Sequence, residues 1–118
     1  MLSTKGNTMI PEEIKEKKPS ADTLQSPVIG KIKITVSHIP SYSIMETTIL
    51  FEDWGDKIYY CWTFTDKSGV QMGKCSPISK SIAGKKAFDY AINHSKLSIE
   101  NYKIDGEKIF EVKEIQKL

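Results

Sequence analysis

The sequence contains no arginine, since all 17 of its basic residues are lysine. Arginine supplies the planar two-point contact that reads guanine edges and clamps carboxylates, whereas lysine presents a single flexible charge. The net charge of +2 is also far below that of proteins that coat nucleic acid by charge alone. Any nucleic-acid binding is therefore expected to be confined to one site and directed at phosphates.

Long hydrophobic runs are missing as well. No window of about 18 apolar residues exists for a membrane span, and the N-terminus lacks the apolar stretch of a secretory signal. The chain has 118 residues, of which 39% are hydrophobic and 27% charged, a composition and length that suit one globular domain. We therefore expect a cytoplasmic single-domain protein with no membrane partner.

Cysteine and histidine are scarce, with two residues of each type. Cys61, Cys75, His38 and His94 include no pair two to four residues apart, so no local zinc knuckle can form, and we predict neither a metal site nor a cofactor. We expect both cysteines to be buried thiols in a reducing compartment. A two-residue hairpin loop would place Cys61 opposite Lys74, which argues against a disulfide. His94 is expected near the end of its helix, beside the C-terminal dipole.

The groupings that support catalysis are also lacking. There is no Gly-x-Ser-x-Gly elbow, no His-Glu pair on a helix and no carboxylate pair in an apolar stretch. The segment Gly69–Lys74 resembles a phosphate loop, but it has three residues between its glycines instead of four, and Cys75 replaces the Ser or Thr that holds magnesium. We therefore predict a protein that is not an enzyme.

Two regions differ in composition. Residues 1–27 are rich in Ser, Thr, Lys, Glu and Pro, which predicts a flexible N-terminal tail. Residues 28–118 form the expected domain. Its first strands are predicted over Gly30–Ser37, which alternates with period two, and over Ile44–Glu52, whose apolar pattern suggests burial on both faces.

The clearest strand is predicted over Lys57–Thr65, followed by a hairpin into Val70–Cys75. Its aromatic residues share one face: Tyr60, Trp62 and Phe64. Such a face could stack bases if it were exposed to solvent. In a domain this small we expect these aromatic residues in the core instead.

A helix is predicted from an N-cap at Ser79, with small apolar residues on one side and lysines on the other. A last hairpin is expected from Leu97–Ile104 and Lys108–Ile115, with Phe110 and Val112 opposite Tyr102 and Ile104. The predicted fold is α+β, with a mostly antiparallel sheet of about five or six strands. One main helix packs on one face, in the order β-β-β-β-α-β-β.

Positive charge is concentrated around this helix, since residues 76–96 carry four lysines and one aspartate. A helix N-terminus offers unpaired N–H groups and a partial positive charge, which together suit a phosphate. The predicted binding residues are Lys74, Ser79, Lys80, Lys85 and Lys86. The same pattern also describes a capped helix with a solvated lysine face.

Part of this region resembles the C-terminal half of a double-stranded RNA-binding domain. The matching positions are Gly69, Gly73, Ser79, Lys80, Ala83, Ala87, Ala91 and Ile92. The sequence departs from the family at Ser81 and Gly84, which replace basic residues, and at Ile58, which stands near the place of a minor-groove histidine. The resemblance covers about a third of the chain and implies shape-based contact with phosphates and 2′-hydroxyls.

Two functional hypotheses follow from the sequence. The first is a small non-enzymatic nucleic-acid-binding module that contacts phosphates through the lysine-fronted helix. The second is a protein-interaction or regulatory protein of the inhibitor, accessory or immunity type. It would bind a protein partner through a sheet edge or the terminal hairpin.

Overall fold

The chain folds as four consecutive strands, a helical segment and a returning strand. In the computed structural model, which describes residues 27–83 and 86–118, five strands form one sheet with a long helix on one face. The elements are β1 (Val28–His38), β2 (Ser43–Asp53), β3 (Lys57–Thr65), β4 (Gln71–Ser79), α1 (Lys80–Ala83), α2 (Ala87–Glu100), β5 (Lys103–Ile104), β6 (Glu107–Lys108) and β7 (Phe110–Lys117). The predicted α+β class is confirmed. The predicted tail at 1–27 lies outside the described residues, apart from Pro27.

The sheet order is β4-β3-β2-β1-β7, and every pairing is antiparallel. Turns join the first four strands, and Gly55 and Gly69 take the positive φ values of 94° and 91° that their turns require. β7 returns along the far side of β1. Within residues 27–83 and 86–118, β4 and β7 are therefore the two edges of the sheet.

The core lies between the sheet and α2. As predicted, Tyr60, Trp62 and Phe64 belong to it, with exposed fractions of 1%, 1% and 3%. From α2, the fully buried residues are Ala91, Ser95 and Ile99. Because β-strand side chains alternate between faces, Tyr59, Cys61 and Thr63 lie on the other side of the sheet.

The prediction that β2 is covered on both faces is wrong. Ile49 and Phe51 are fully buried, whereas Ile44 and Leu50 are 64% and 45% exposed. Among the described elements, helices pack on only one side of the sheet, so the apolar residues on the other face of β2 remain near solvent.

The predicted helical region contains the short helix α1 and the one main helix, α2, which continues to Glu100. The strand predicted over Leu97–Ile104 is therefore wrong in its first part. Ser95 and Ile99 are four residues apart and both fully buried, so the helical repeat continues to cover the sheet here. Packing of this helix face against the sheet outweighs the β-strand propensity of Ile99.

The terminal hairpin forms around Asp105 and Gly106, but it is only β5 paired with β6. The predicted pairing of Phe110 and Val112 with the residues before that turn is wrong. In the structure Phe110 pairs with His38, and Val112 pairs with Val36, both in β1. A two-stranded ribbon cannot bury an apolar face, whereas β7 on the edge of the sheet buries Phe110 completely.

The two cysteines form a disulfide, which overturns the prediction of two free thiols. Cys61 and Cys75 pair directly across β3 and β4, with their sulfur atoms bonded. The predicted register was one residue off, because Thr65 pairs with Gln71 and the connecting loop holds five residues instead of two. A shift of one residue in register brings the cysteines opposite each other.

Breaking this disulfide is expected to lower the free energy of unfolding by about 3 kcal/mol, because it frees a loop of about 15 residues in the unfolded chain. Urea unfolding of the double variant Cys61→Ser/Cys75→Ser measures this loss. Reductant should destabilise the natural protein by a similar amount and leave the double variant unchanged. An equal effect of reductant on both proteins would contradict the assignment.

Candidate functional site

The start of α1, predicted as a phosphate site, is occupied by groups of the chain itself. Ser79 caps the helix as predicted, since its Oγ accepts the N–H of Ser81 at 3.3 Å. Lys80 Nζ lies 2.7 Å from Asp53 Oδ1, and the N–H of Lys80 donates to the carbonyl of Asp56. The hydrogen bond from Lys80, followed by one from the N–H of Gly55, lowers the pKa of Asp53. The Lys80 charge therefore faces a carboxylate.

The other predicted lysines are spread over the molecule. Lys74 is exposed on β4, and it lies six residues from Lys80, roughly 20 Å along the strand. Lys86 is exposed directly before α2. Lys85 lies outside the described residues. The structure does not join Lys74, Lys80 and Lys86 into one compact cluster.

A polar cluster lies instead between α2 and the β3–β4 hairpin. The hydroxyl of Tyr60 and Nδ1 of His94 are 2.6 Å apart, and Trp62 Nε1 donates to Ser98 Oγ at 2.9 Å. Burial raises the pKa of Tyr60 to about 12, and the nearby hydroxyls of Ser76 and Ser98 oppose that rise. Tyr60 is therefore a neutral hydroxyl at physiological pH, and the cluster fixes α2 on the sheet.

His94 lies in the middle of α2, so its predicted position near the helix end is wrong. Partial burial lowers the pKa of His94 and favours the neutral imidazole. With the ring proton on Nε2, Nδ1 accepts from the Tyr60 hydroxyl, which is otherwise buried. Sequence spacing could not reveal this contact, because 34 residues separate the two partners.

Two hydrogen bonds, one at each end of the β3–β4 pairing, show which β4 residues direct their backbone groups toward β3. At one end, the N–H of Asp66 donates to the carbonyl of Val70. At the other end, the N–H of Lys80 donates to the carbonyl of Asp56. With the recorded register, Met72, Lys74, Ser76 and Ile78 therefore exchange hydrogen bonds with β3.

The remaining β4 residues direct their backbone groups away from β3. The outward positions are Gln71, Gly73, Cys75, Pro77 and Ser79, and Pro77 has no N–H to leave unpaired there. Outward positions recur about every 7 Å along the edge, and one of them, Gly73, is buried. No described residue outside β3 forms a strand ladder with β4.

The two edges of the sheet are protected to different degrees. β7 carries four charged residues in eight and has a register irregularity against β1. Charges and bulges of this kind discourage pairing with another chain. β4 has one charged residue, Lys74, and one proline near its end, and no described strand pairs with its outer side; Gln71, Lys74 and Pro77 are exposed, whereas Gly73 is buried.

One flank of α2 is turned toward β3, where His94 contacts Tyr60 and Ser98 contacts Trp62. Tyr90 and Leu97 are spaced i−4 and i+3 from His94 and lie farther from the buried residues of the helix, so they are exposed. The opposite flank lies over β7, where Asp89 binds Lys117 at 3.0 Å.

We call the surface between this flank and β4 the α2–β4 strip. Its members are Tyr90, His94 and Leu97 from α2 and Lys74 and Ser76 from β4. Tyr90 and Leu97 are 41% and 47% exposed, and Lys74 is also exposed. The strip combines apolar surface, a lysine and an edge with outward donors. Among the residues predicted as binding from the sequence, only Lys74 belongs to it.

Comparison with known proteins gives no relative. No protein-family model matches the chain, and no curated protein or solved structure is significantly similar to it. The part of the chain that the structure describes has no group of three or more metal-binding side chains. No helix in that part is long and apolar enough to span a membrane. The resemblance to double-stranded RNA-binding domains therefore stays a prediction.

Stability is expected to fall when the solution is acidified through the pKa of His94. The folded-state pKa of His94 is lowered from its ordinary value of about 6.5. The unfolded chain therefore binds a proton more readily. The stabilising contribution of neutral His94 is present above about pH 6.5 and is lost as the pH falls through the pKa of His94 in the folded protein.

Urea unfolding between pH 7.5 and pH 5 tests this expectation. The matched variant is His94→Gln, whose amide oxygen can still accept from Tyr60 but does not titrate. Its stability should change less over this range than that of the natural protein. Identical pH dependence of both proteins would contradict the assignment to His94.

Proposed function

We propose that this chain is a small, non-enzymatic protein-interaction module that binds an extended segment of a protein partner as an additional strand on β4. The observation that carries the proposal is the outer edge of β4, where no described strand pairs with the outward N–H groups of Gln71 and Cys75. Edge strands of this kind bind peptides through main-chain hydrogen bonds, and side-chain contacts supply specificity.

The β3–β4 hairpin is well suited to support an added strand. The Cys61–Cys75 disulfide joins the two strands in the middle of the hairpin, and Trp62 is anchored to α2 through Ser98. An edge that is held in place before binding loses less conformational entropy when the partner binds. On binding, conformational entropy is then lost mainly by the partner segment.

Nucleic-acid binding through Lys74, Ser79, Lys80, Lys85 and Lys86 stays the competing hypothesis. Among these residues, Lys80 already faces the carboxylate of Asp53, so a phosphate would have to replace that partner. A regular series of backbone donors along an edge suits a peptide main chain better than a polyphosphate. These features favour the protein-interaction function.

The predicted cytoplasmic location also stays a prediction. Disulfides are rare in reducing compartments and common in oxidising ones, so the Cys61–Cys75 bond favours an oxidising environment. A reducing location would require the hairpin to hold its register without the bond.

The function can be tested by selecting displayed random nine-residue peptides against the full disulfide-bonded protein. A bound strand is expected to slow amide exchange at Gln71, Gly73 and Cys75 and to leave exchange in β7 unchanged. Failure to select any peptide, or protection confined to another surface, would count against the proposal.

Gln71→Pro and Gln71→Ala provide a matched pair of variants. Both remove the side chain, but only the proline removes the outward N–H, at the first residue of β4, where proline is tolerated. Gln71→Pro should weaken binding of the selected peptides about fivefold relative to Gln71→Ala, because one hydrogen bond contributes about 1 kcal/mol. Urea unfolding of both variants verifies that the fold is retained. Equal affinity in the two folded variants would contradict strand addition.

A further inference from the structure

The Cys61–Cys75 disulfide lies on the face of the sheet that α2 leaves uncovered. Side chains of β3 alternate between the two faces, so Tyr60 and Trp62 reach α2 whereas Cys61 points to the other side. Cys75 is directly opposite Cys61 and therefore shares that face. Both cysteines are partly exposed. Exposed disulfides are the ones that exchange with thiols, because a thiolate has to reach a sulfur atom.

The surroundings of Cys75 are open on one side. β4 is an edge among the described strands, so no described strand lies along its outer side. On the face that carries the disulfide, Pro77 follows Cys75 and is exposed, whereas Gly73 precedes it and is buried. The accessible approach to the Cys75 sulfur is therefore from the outer side of β4, beside Pro77.

The surroundings of Cys61 are more crowded. Cys61 belongs to an inner strand, with β2 beyond it. Tyr59 fills the preceding position on the same face, is only 7% exposed, and stacks on Trp54 with the ring centroids 4.3 Å apart. The Tyr59 hydroxyl lies 3.7 Å from Cys61 Sγ. Because an oxidised sulfur carries no proton, the hydroxyl is the donor in this contact.

The direction of the disulfide across the hairpin distinguishes the two sulfurs chemically. In thiol exchange a thiolate attacks one sulfur and the other leaves, and the rate depends on which sulfur can be reached. The attacking, attacked and leaving sulfurs stand in line. Since the bond joins β3 to β4, a thiolate reaches Cys75 from the open edge, whereas it would have to cross β2 to reach Cys61.

We propose that the Cys61–Cys75 bond is a thiol-exchange site of the folded protein, whose substrate is a low-molecular-weight thiol such as glutathione. The glutathione thiolate forms a bond to Cys75 Sγ while the bond between the two cysteines breaks. The electron pair of that bond leaves on Cys61 Sγ, which accepts the hydrogen bond from the Tyr59 hydroxyl and then takes a proton from water. The product carries a mixed disulfide on Cys75 and a thiol on Cys61. Thiol exchange at Cys75 is independent of strand addition to β4.

The hairpin can keep its register while the bond is open. β3 and β4 are paired at nine positions. The other face of the hairpin buries Trp62, Phe64 and Met72 in the core. A disulfide stabilises mainly by restricting the unfolded chain. Exchange is therefore expected in the folded state, without prior unfolding.

The first test measures how fast glutathione opens the disulfide of the full oxidised chain at several urea concentrations below the unfolding transition. Mass spectrometry after blocking of free thiols gives the rate. The rate should rise in proportion to the glutathione concentration and stay constant as urea is added. A rate that climbs steeply with urea would show that thiols reach the bond only after unfolding, and it would overturn the proposal.

The second test locates the attacked sulfur. After a short incubation with glutathione, free thiols are blocked with excess N-ethylmaleimide and the peptides are mapped by mass spectrometry. Glutathione on Cys75 with maleimide on Cys61 should exceed the reverse pattern about fivefold. Equal amounts of the two patterns, or an excess of glutathione on Cys61, would overturn attack from the β4 edge.

Tyr59→Phe and Tyr90→Phe are matched variants that each remove one hydroxyl. Tyr90 lies on α2, on the opposite side of the sheet, and is 41% exposed. Tyr59→Phe should slow the opening about fivefold and weaken the preference for Cys75, because the leaving sulfur loses a hydrogen bond. Tyr90→Phe should preserve both the rate and the preference. Urea unfolding of the oxidised variants verifies their folding, and identical behaviour of the two folded variants would overturn the role of Tyr59.

Discussion

The register of the β3–β4 hairpin is the constraint on which the rest of the structure depends. Thr65 faces Gln71 across a five-residue loop, and this alignment brings Cys61 and Cys75 together and directs Met72 and Ile78 into the core. The same alignment turns the backbone donors of alternate β4 residues outward. A slip of one residue would separate the cysteines and exchange the two faces of β4.

The helix is coupled to that hairpin by polar contacts within an apolar core. Tyr60 reaches His94, and Trp62 reaches Ser98, so two large buried aromatic side chains satisfy their polar atoms on α2. Satisfied buried polar groups define one arrangement more strictly than apolar packing alone. They set the height and rotation of α2 above the sheet, and with it the flank that faces β3.

Local patterns predicted the elements better than their partners. The alternation in Lys57–Thr65 was sufficient to identify a strand and its buried aromatic face, and the Asp105-Gly106 turn was also identified. The last strand was paired incorrectly, since nothing in its own residues shows that Phe110 faces His38. The sequence did not predict most of the candidate site, because the concentration of lysines indicated Lys80 as a binding residue. Its carboxylate partner, Asp53, is distant in sequence and could not be recognised from the local pattern.

The sequence by itself determined the α+β class, the strand that carries the aromatic core and the cap at Ser79, because periodicity and capping depend on residues a few positions apart. Only the tertiary structure decided the disulfide, the role of His94 and the difference between the two sheet edges. Each of these depends on which distant strands and helices meet, and long-range pairing is set by the packing of the whole core. Among the described strands, β4 is an edge because β7 returns to β1 instead.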